Sequence, residues 1–144
     1  MLEGERATDL PVGLQAAYAA VAAVEAYPAW QSLIDYVDVL DRDGEGRPWL
    51  VSTVLHAGVV KLHLALRYAY EPPHVVRCSL DRGDVRDLQG AWRLDGDGAS
   101  SRATYHVRVD PGRRLGLLVR GGVADRLRAK VVDETVADLR RHLS

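Results

Sequence analysis

The sequence predicts a two-layer α+β fold: a curved antiparallel sheet of six to seven strands wrapped around one long C-terminal helix, with a short helix pair after the first strand. Three observations carry this. From Val123 onward Leu127, Val131, Val132, Val136, Leu139 and Leu143 recur at spacings of mostly three and four, which is one side of a 3.6-period helix. Between Tyr36 and Val109 the apolar period is two, and short Gly/Asp/Pro turns interrupt it. Between these blocks and the N-terminus lies an Ala-rich run stopped by Pro28.

In chain order, Arg6 to Leu10 reads as a short first strand. Pro11 suits a first helical turn, where its missing N–H costs nothing. A helix over about 12–25 follows, with Leu14, Ala17/Tyr18, Val21 and Val24 on one side. Pro28 ends it, because the residue before proline avoids the α region. A second short helix, about Pro28 to Ile34, sets Tyr27 and Trp30 at an elbow.

The strands are Tyr36–Leu40, Trp49–His56, Val60–Tyr70, His74–Leu80, Asp87–Asp95 and Ala103–Val109. Val60–Tyr70 alternates most clearly, with Leu62, Leu64, Leu66, Tyr68 and Tyr70 on one face and Lys61, His63 and Arg67 on the other. Consecutive strands on short turns imply an antiparallel meander with one buried face. The final segment, Leu115 to Leu143, would run about 43 Å as one helix, longer than such a domain is across. Gly121–Gly122 should therefore break it, leaving Leu115, Leu117, Leu118 and Val119 as an apolar lead-in that either forms a lip at a pocket entrance or simply packs.

At 144 residues the chain is one domain, 1–144, able to bury a real core. With 27% charged residues and a net charge of −1, nothing in the totals advertises nucleic acid or an anionic membrane. No run of eighteen apolar residues exists to span a membrane, and the acidic N-terminus lacks a signal-peptide core. A lone cysteine, Cys78, excludes an internal disulfide and a Cys-based zinc site, so a cytoplasmic address is the expectation. The five histidines lack metal-ligand spacing; neither a metal nor another cofactor is expected.

Ala23-Val-Glu-Ala-Tyr-Pro-Ala-Trp is similar to a D-x-x-x-Y-P-x-W motif at a helix elbow. With Leu33-Ile-Asp-Tyr-Val-Asp-Val-Leu and its Asp-Gly turn, Leu88-Gln-Gly-Ala-Trp-Arg-Leu, and Arg102-Ala-Thr-Tyr-His-Val, it gives a family resemblance from about Thr8 to the end. On these residues the chain resembles the START/Bet v 1-like (SRPBCC) superfamily, in particular its polyketide cyclase/dehydrase and lipid-transport proteins, which include a coenzyme Q-binding branch. Two departures are the short first strand and Ala23, where Asp is usual. The resemblance implies the helix-grip fold built around a cavity. It does not assign activity, because the family holds carriers, sensors and enzymes.

Strand phase sorts the sheet's side chains. The inward set contains Trp49, Val51, Thr53, Leu55, Leu62, Leu64, Leu66, Tyr68, Tyr70, Val76, Cys78, Leu80, Leu88, Gly90, Trp92, Leu94, Tyr105, Val107 and Val109. His63, Arg67, Arg77, Arg93, Arg102, His106 and Arg108 fall outward, and His56 turns inward only if its strand slips phase. Phenols, indoles, one thiol and aliphatics make a mostly apolar ligand pocket, or an ordinary aromatic core. The candidate ligand-binding set is Trp30, Trp49, Val51, Leu64, Leu66, Tyr68, Tyr70, Cys78, Trp92, Tyr105, Leu127, Arg128, Val131 and Thr135.

On the long helix Arg128 and Thr135 interrupt the apolar arc, with Asp138 at its edge. Arg128 either faces the cavity and binds an anionic or carbonyl group, or snorkels to water. Three functions follow. One is binding or transport of a small hydrophobic molecule: a lipid, quinone or polyketide-like aromatic. Another is an aromatase/cyclase in which Tyr68, Tyr70 or Tyr105 acts with Arg128. The third is an interaction module using the outward basic face. The sequence leaves the oligomeric state open.

Overall fold

The computed structural model describes residues 1–118 and 121–144. Its elements are β1 (Leu2–Leu10), α1 (Leu14–Ala22), a 3₁₀ turn (Val24–Ala26), α2 (Tyr27–Trp30), β2 (Ile34–Arg42), β3 (Pro48–Ala57), β4 (Val60–Glu71), β5 (Val75–Gly83), β6 (Asp87–Gly96), β7 (Ser101–Asp110), α3 (Gly112–Leu118) and α4 (Gly122–His142). All seven strands form one antiparallel sheet in the order β1-β7-β6-β5-β4-β3-β2. Sequential hairpins place β2 to β7 side by side, and β1 closes onto β7, so α4 lies across the concave face as a helix in a grip.

The elements form where the period requires, and the differences lie at their ends. β1 starts at Leu2 rather than Arg6 because its backbone pairs with β7 along its whole length, Leu2 opposite Val109 and Leu10 opposite Ser101. Its side chains, Leu-Glu-Gly-Glu-Arg-Ala-Thr-Asp-Leu, carry no clean alternation that would reveal this. α1 starts at Leu14, beyond Pro11, because the Leu14 N–H donates to the Asp97 carbonyl (2.8 Å) and the β6–β7 turn fixes the helix start. The second helix is a single turn, since Ile34 already pairs with Leu55. β5 continues through Asp81 to Gly83 after a bulge opposite Ala65/Leu66, so the turn expected at Asp81 falls later. Gly121, at φ 55, adopts the left-handed backbone that separates α3 from α4. Of the expected apolar lip, Val119 and the Leu118 side chain lie outside the described residues.

Two apolar clusters fill the space between layers. One gathers Leu10, Ala17, Tyr18, Val21, Trp92, Leu94, Ala103, Val136 and Leu139 under α1 and the second half of α4. The other gathers Val24, Tyr27, Val51, Leu62, Leu64, Leu66, Val85 and Leu88 toward the opposite end of the sheet. The fully buried residues of α4 run only from Val132 to Leu139; its first two turns are part-exposed.

A candidate ligand cavity

Between the sheet and α4 lies a cavity of about 120 Å³. Its floor comes from alternate residues of β3 to β7: Thr53 and Leu55, then Leu62, Leu64, Leu66 and Tyr68, then Cys78, Leu88 and Trp92, then Tyr105 and Val107. Tyr27 and Gln31 close it from the elbow, and Leu127 and Val131 roof it from α4. Leu2, Ala57, Val60, Pro111 and Leu115 surround its far end, where all but Ala57 are part-exposed. That end is the mouth.

The wall is apolar except for Gln31 at the elbow, Thr53 on β3 and one corner of the sheet. Tyr68, Cys78 and Gly90 stand in one row across β4, β5 and β6, and Tyr105 reaches in from the next row, opposite Trp92. Gly90 makes the corner possible. A Cβ there would sit 3.0 Å from Cys78 Sγ and 3.8 Å from Tyr105 Oη, so the missing side chain leaves both polar atoms facing the same space. Trp92 and Tyr105 pack at 4.7 Å between ring centres and fix the Tyr105 ring. Burial pushes the Tyr68 and Tyr105 phenols well above their usual range. It also pushes the Cys78 thiol up to about 11, partly offset by hydrogen bonds from the Gly90 backbone and Tyr68. Near neutral pH the corner therefore holds neutral donors.

Two further polar side chains of the wall are engaged, while the Gln31 amide has no hydrogen-bond partner among the described residues. Tyr27 donates to the Val21 carbonyl, and Thr53 Oγ1 donates to the Tyr36 carbonyl (2.7 Å). Among the described residues no His, Lys, Arg, Asp or Glu lines the cavity. Nor does any group of three or more His, Cys, Asp or Glu there stand close enough to hold a metal.

The structure brings Leu64, Leu66, Tyr68, Cys78, Trp92, Tyr105, Leu127 and Val131 of the candidate set together in this wall. Six others stand elsewhere, for identifiable reasons. Arg128 is about half exposed, its stem lies over Gly4 of β1 and its guanidinium pairs with Asp125 (3.5 Å). It thus follows the snorkelling alternative. Thr135 is buried deeper along α4, beyond the cavity. Tyr70 donates to the Pro48 carbonyl with Arg47 over its ring (4.9 Å), and Trp49, beside Pro48, is carried to that same closed end. Val51 is fully buried in the core. Trp30 stacks on His142 (5.3 Å) and meets Tyr27 edge-on, behind the cavity. Tyr27 and Gln31 were absent from the candidate set; the tyrosine-proline elbow marks Tyr27's place, whereas nothing in the pattern marks Gln31.

Residues 10–135 match the model of the family described as polyketide cyclase/dehydrase and lipid transport. The chain belongs to that family. A comparison with curated protein sequences found no match. Among solved structures it is similar to a START superfamily protein from Mycobacterium smegmatis, at 16% identity and a TM-score of 0.86, over 99% of this chain and 97% of that one. A Thermus thermophilus protein matches at 16% identity and a TM-score of 0.82, over 98% and 96% of the two chains. A Streptomyces aromatase/cyclase matches at 15% identity and a TM-score of 0.67, over 99% and 95%. At these identities the likeness is one of fold. The helix-grip architecture of this family member is therefore established independently of its cavity chemistry.

Proposed function

We propose that this family member binds a small hydrophobic molecule in the cavity between sheet and α4. The ligand would be an aromatic ring or acyl segment carrying one hydrogen-bonding atom, as a lipid, a quinone or a polyketide-like aromatic does. The observation that carries the reading is a mostly apolar wall with Tyr68, Cys78 and Tyr105 gathered at one corner around Gly90. Apolar burial at ~25 cal/mol per Å² drives the binding, and the phenols orient the polar atom. Size narrows the guest. An apolar cavity of roughly 150 Å³ accommodates benzene; about 120 Å³ takes one ring or a short chain, and anything longer extends through the mouth.

The aromatase/cyclase alternative is less well supported. Neutral phenols can polarise a carbonyl, but proton abstraction needs a base within reach, and the described wall offers none.

Native mass spectrometry of protein purified from its own host tests the reading. A co-purifying hydrophobic molecule is expected, and its release in Gly90→Leu, which fills the corner, locates it. A protein that carries nothing and displaces no apolar dye from its cavity would overturn the reading. Catalytic conversion of the ligand, lost in Tyr68→Phe or Tyr105→Phe, would favour the enzyme.

A further inference from the structure

We propose that the mouth end of the molecule docks on an anionic lipid bilayer. The strand registers gather four segments at one end of the sheet: the β3–β4 turn at Ala57–Val60, the β5–β6 turn after Gly83, the β7 end at Asp110, and the N-terminus beside Val109. α3 follows there, since Leu115 stands at the same mouth as Leu2 and Val60, and α4 starts beyond it, its second turn reaching the cavity roof at Leu127. Four of the six exposed large apolar side chains of the described residues lie on these segments: Met1, Val59, Leu117 and Val123. Val59 is fully exposed at 101% and Leu117 is 62% exposed.

Cations surround these tips. Lys61, Arg113, Arg114 and Arg126 are exposed, and among the described residues none has a carboxylate within salt-bridge reach. Of the carboxylates at this end, Asp110 pairs with Arg86 and Asp125 with Arg128, while Glu3 and Asp84 lie beside the rings of His106 and His63. Among the described residues Asp87 has no salt-bridge partner there. With the histidines counted neutral, the groups named here are six cations against five carboxylates, a slight positive balance where the whole chain is −1.

Small aliphatic tips on separate segments, interspersed with free cations, suit a fluid surface of acyl chains and anionic headgroups. A protein interface would centre on buried aromatic anchors, and among the described residues the four segments that form these tips carry no exposed aromatic side chain. The tips also surround the cavity mouth, so docking would set an apolar cavity against an apolar medium.

Co-sedimentation tests this with phosphatidylcholine vesicles, with or without about one quarter phosphatidylglycerol. Binding is expected only to the mixed vesicles and should weaken with salt. Arg113→Glu with Arg114→Glu should lower it by at least about tenfold, at roughly 1 kcal/mol per basic residue. Val59→Glu and Leu117→Glu should lower it too, while Arg93→Glu with Arg140→Glu, exposed cations elsewhere, should not. Since all these residues are exposed, circular dichroism and dye uptake should stay unchanged. Failure to bind the mixed vesicles, or equal loss in the control pair, would overturn the docking surface. So would a dimer seen by light scattering and abolished by Leu117→Glu, which assigns the surface to a second copy. Dye uptake reports the cavity reading separately: loss of vesicle binding with dye binding retained tells only on docking.

Discussion

The two ends of the sheet solve opposite problems. At the closed end, side chains interlock and charges pair. Leu10, Leu94 and Leu139 are almost wholly buried, Trp30 stacks on His142, and Asp138, 3% exposed, accepts hydrogen bonds from the Ser32 N–H (2.8 Å) and Oγ (2.9 Å) and pairs with Arg141 (2.9 Å). Arg42 and Arg47 are likewise paired there, with Glu25 and Asp43. At the mouth end the aliphatics border a void or face solvent, and several cations have no partner. Stability is thus concentrated at one end and access at the other, which is how a fold keeps a cavity without losing its core.

Substitutions at matched leucines should expose that contrast most strongly. Leu139→Ala is expected to cost about 3–5 kcal/mol in urea unfolding, and Leu62→Ala, beside the existing void, about 2 kcal/mol. Equal losses would erase the distinction between the ends. Next, Asp138→Ala strands the Ser32 donors at a cost of about 1–3 kcal/mol. Asp138→Asn keeps an acceptor and should recover part of it in the same denaturation assay.

Alkaline pH gives a third handle. The thiol of Cys78 stays protonated in the fold up to about 11 and ionises near 9 when unfolded. Between those values the unfolded chain binds fewer protons than the native one, so stability falls as pH rises through this window and is full below it. The loss should be about 1–3 kcal/mol, and Cys78→Ala should flatten the pH dependence below about pH 10, above which the buried tyrosines, also raised from 10.0, add the same trend. The same protonation should slow alkylation of the native thiol by about a hundredfold relative to a free cysteine below pH 9. The smallest effect concerns Tyr68→Phe. It should leave stability within about 1 kcal/mol yet weaken ligands that carry a hydrogen-bonding atom. Fluorescence titration can read this from Trp92, the tryptophan in the wall, while Trp30 and Trp49 lie outside it.

Much of this was legible from the sequence because period reports face. Val60–Tyr70 alternates cleanly, and its inward residues Leu62, Leu64, Leu66 and Tyr68 do line the cavity. Period does not report depth along a strand. Trp49, Val51 and Tyr70 have the inward phase, but they stand in the core or at the closed end, because register and not alternation decides which row meets the void. On α4 the helical projection marked Arg128 as an interruption of the apolar arc. It could not show that Gly4 of β1 gives the arginine stem a surface to lie on. The corner at Gly90 was equally hidden, since a glycine in a strand reveals neither the thiol nor the phenol that converge over it.

The uneven anchoring of α4 has a mechanical consequence. Its second half is held by Val132, Thr135, Val136, Asp138 and Leu139, while Gly122 to Arg128 has only part-buried contacts. The helix is a cantilever, clamped where the core is solid and weakly held beside the cavity mouth. Bending the free arm breaks few contacts and leaves the clamp intact, so the proposed uptake would require no global unfolding. Amide exchange along this one helix should fall steeply from its start to Leu139, a gradient that measures the stiffness of the gate in units of free energy.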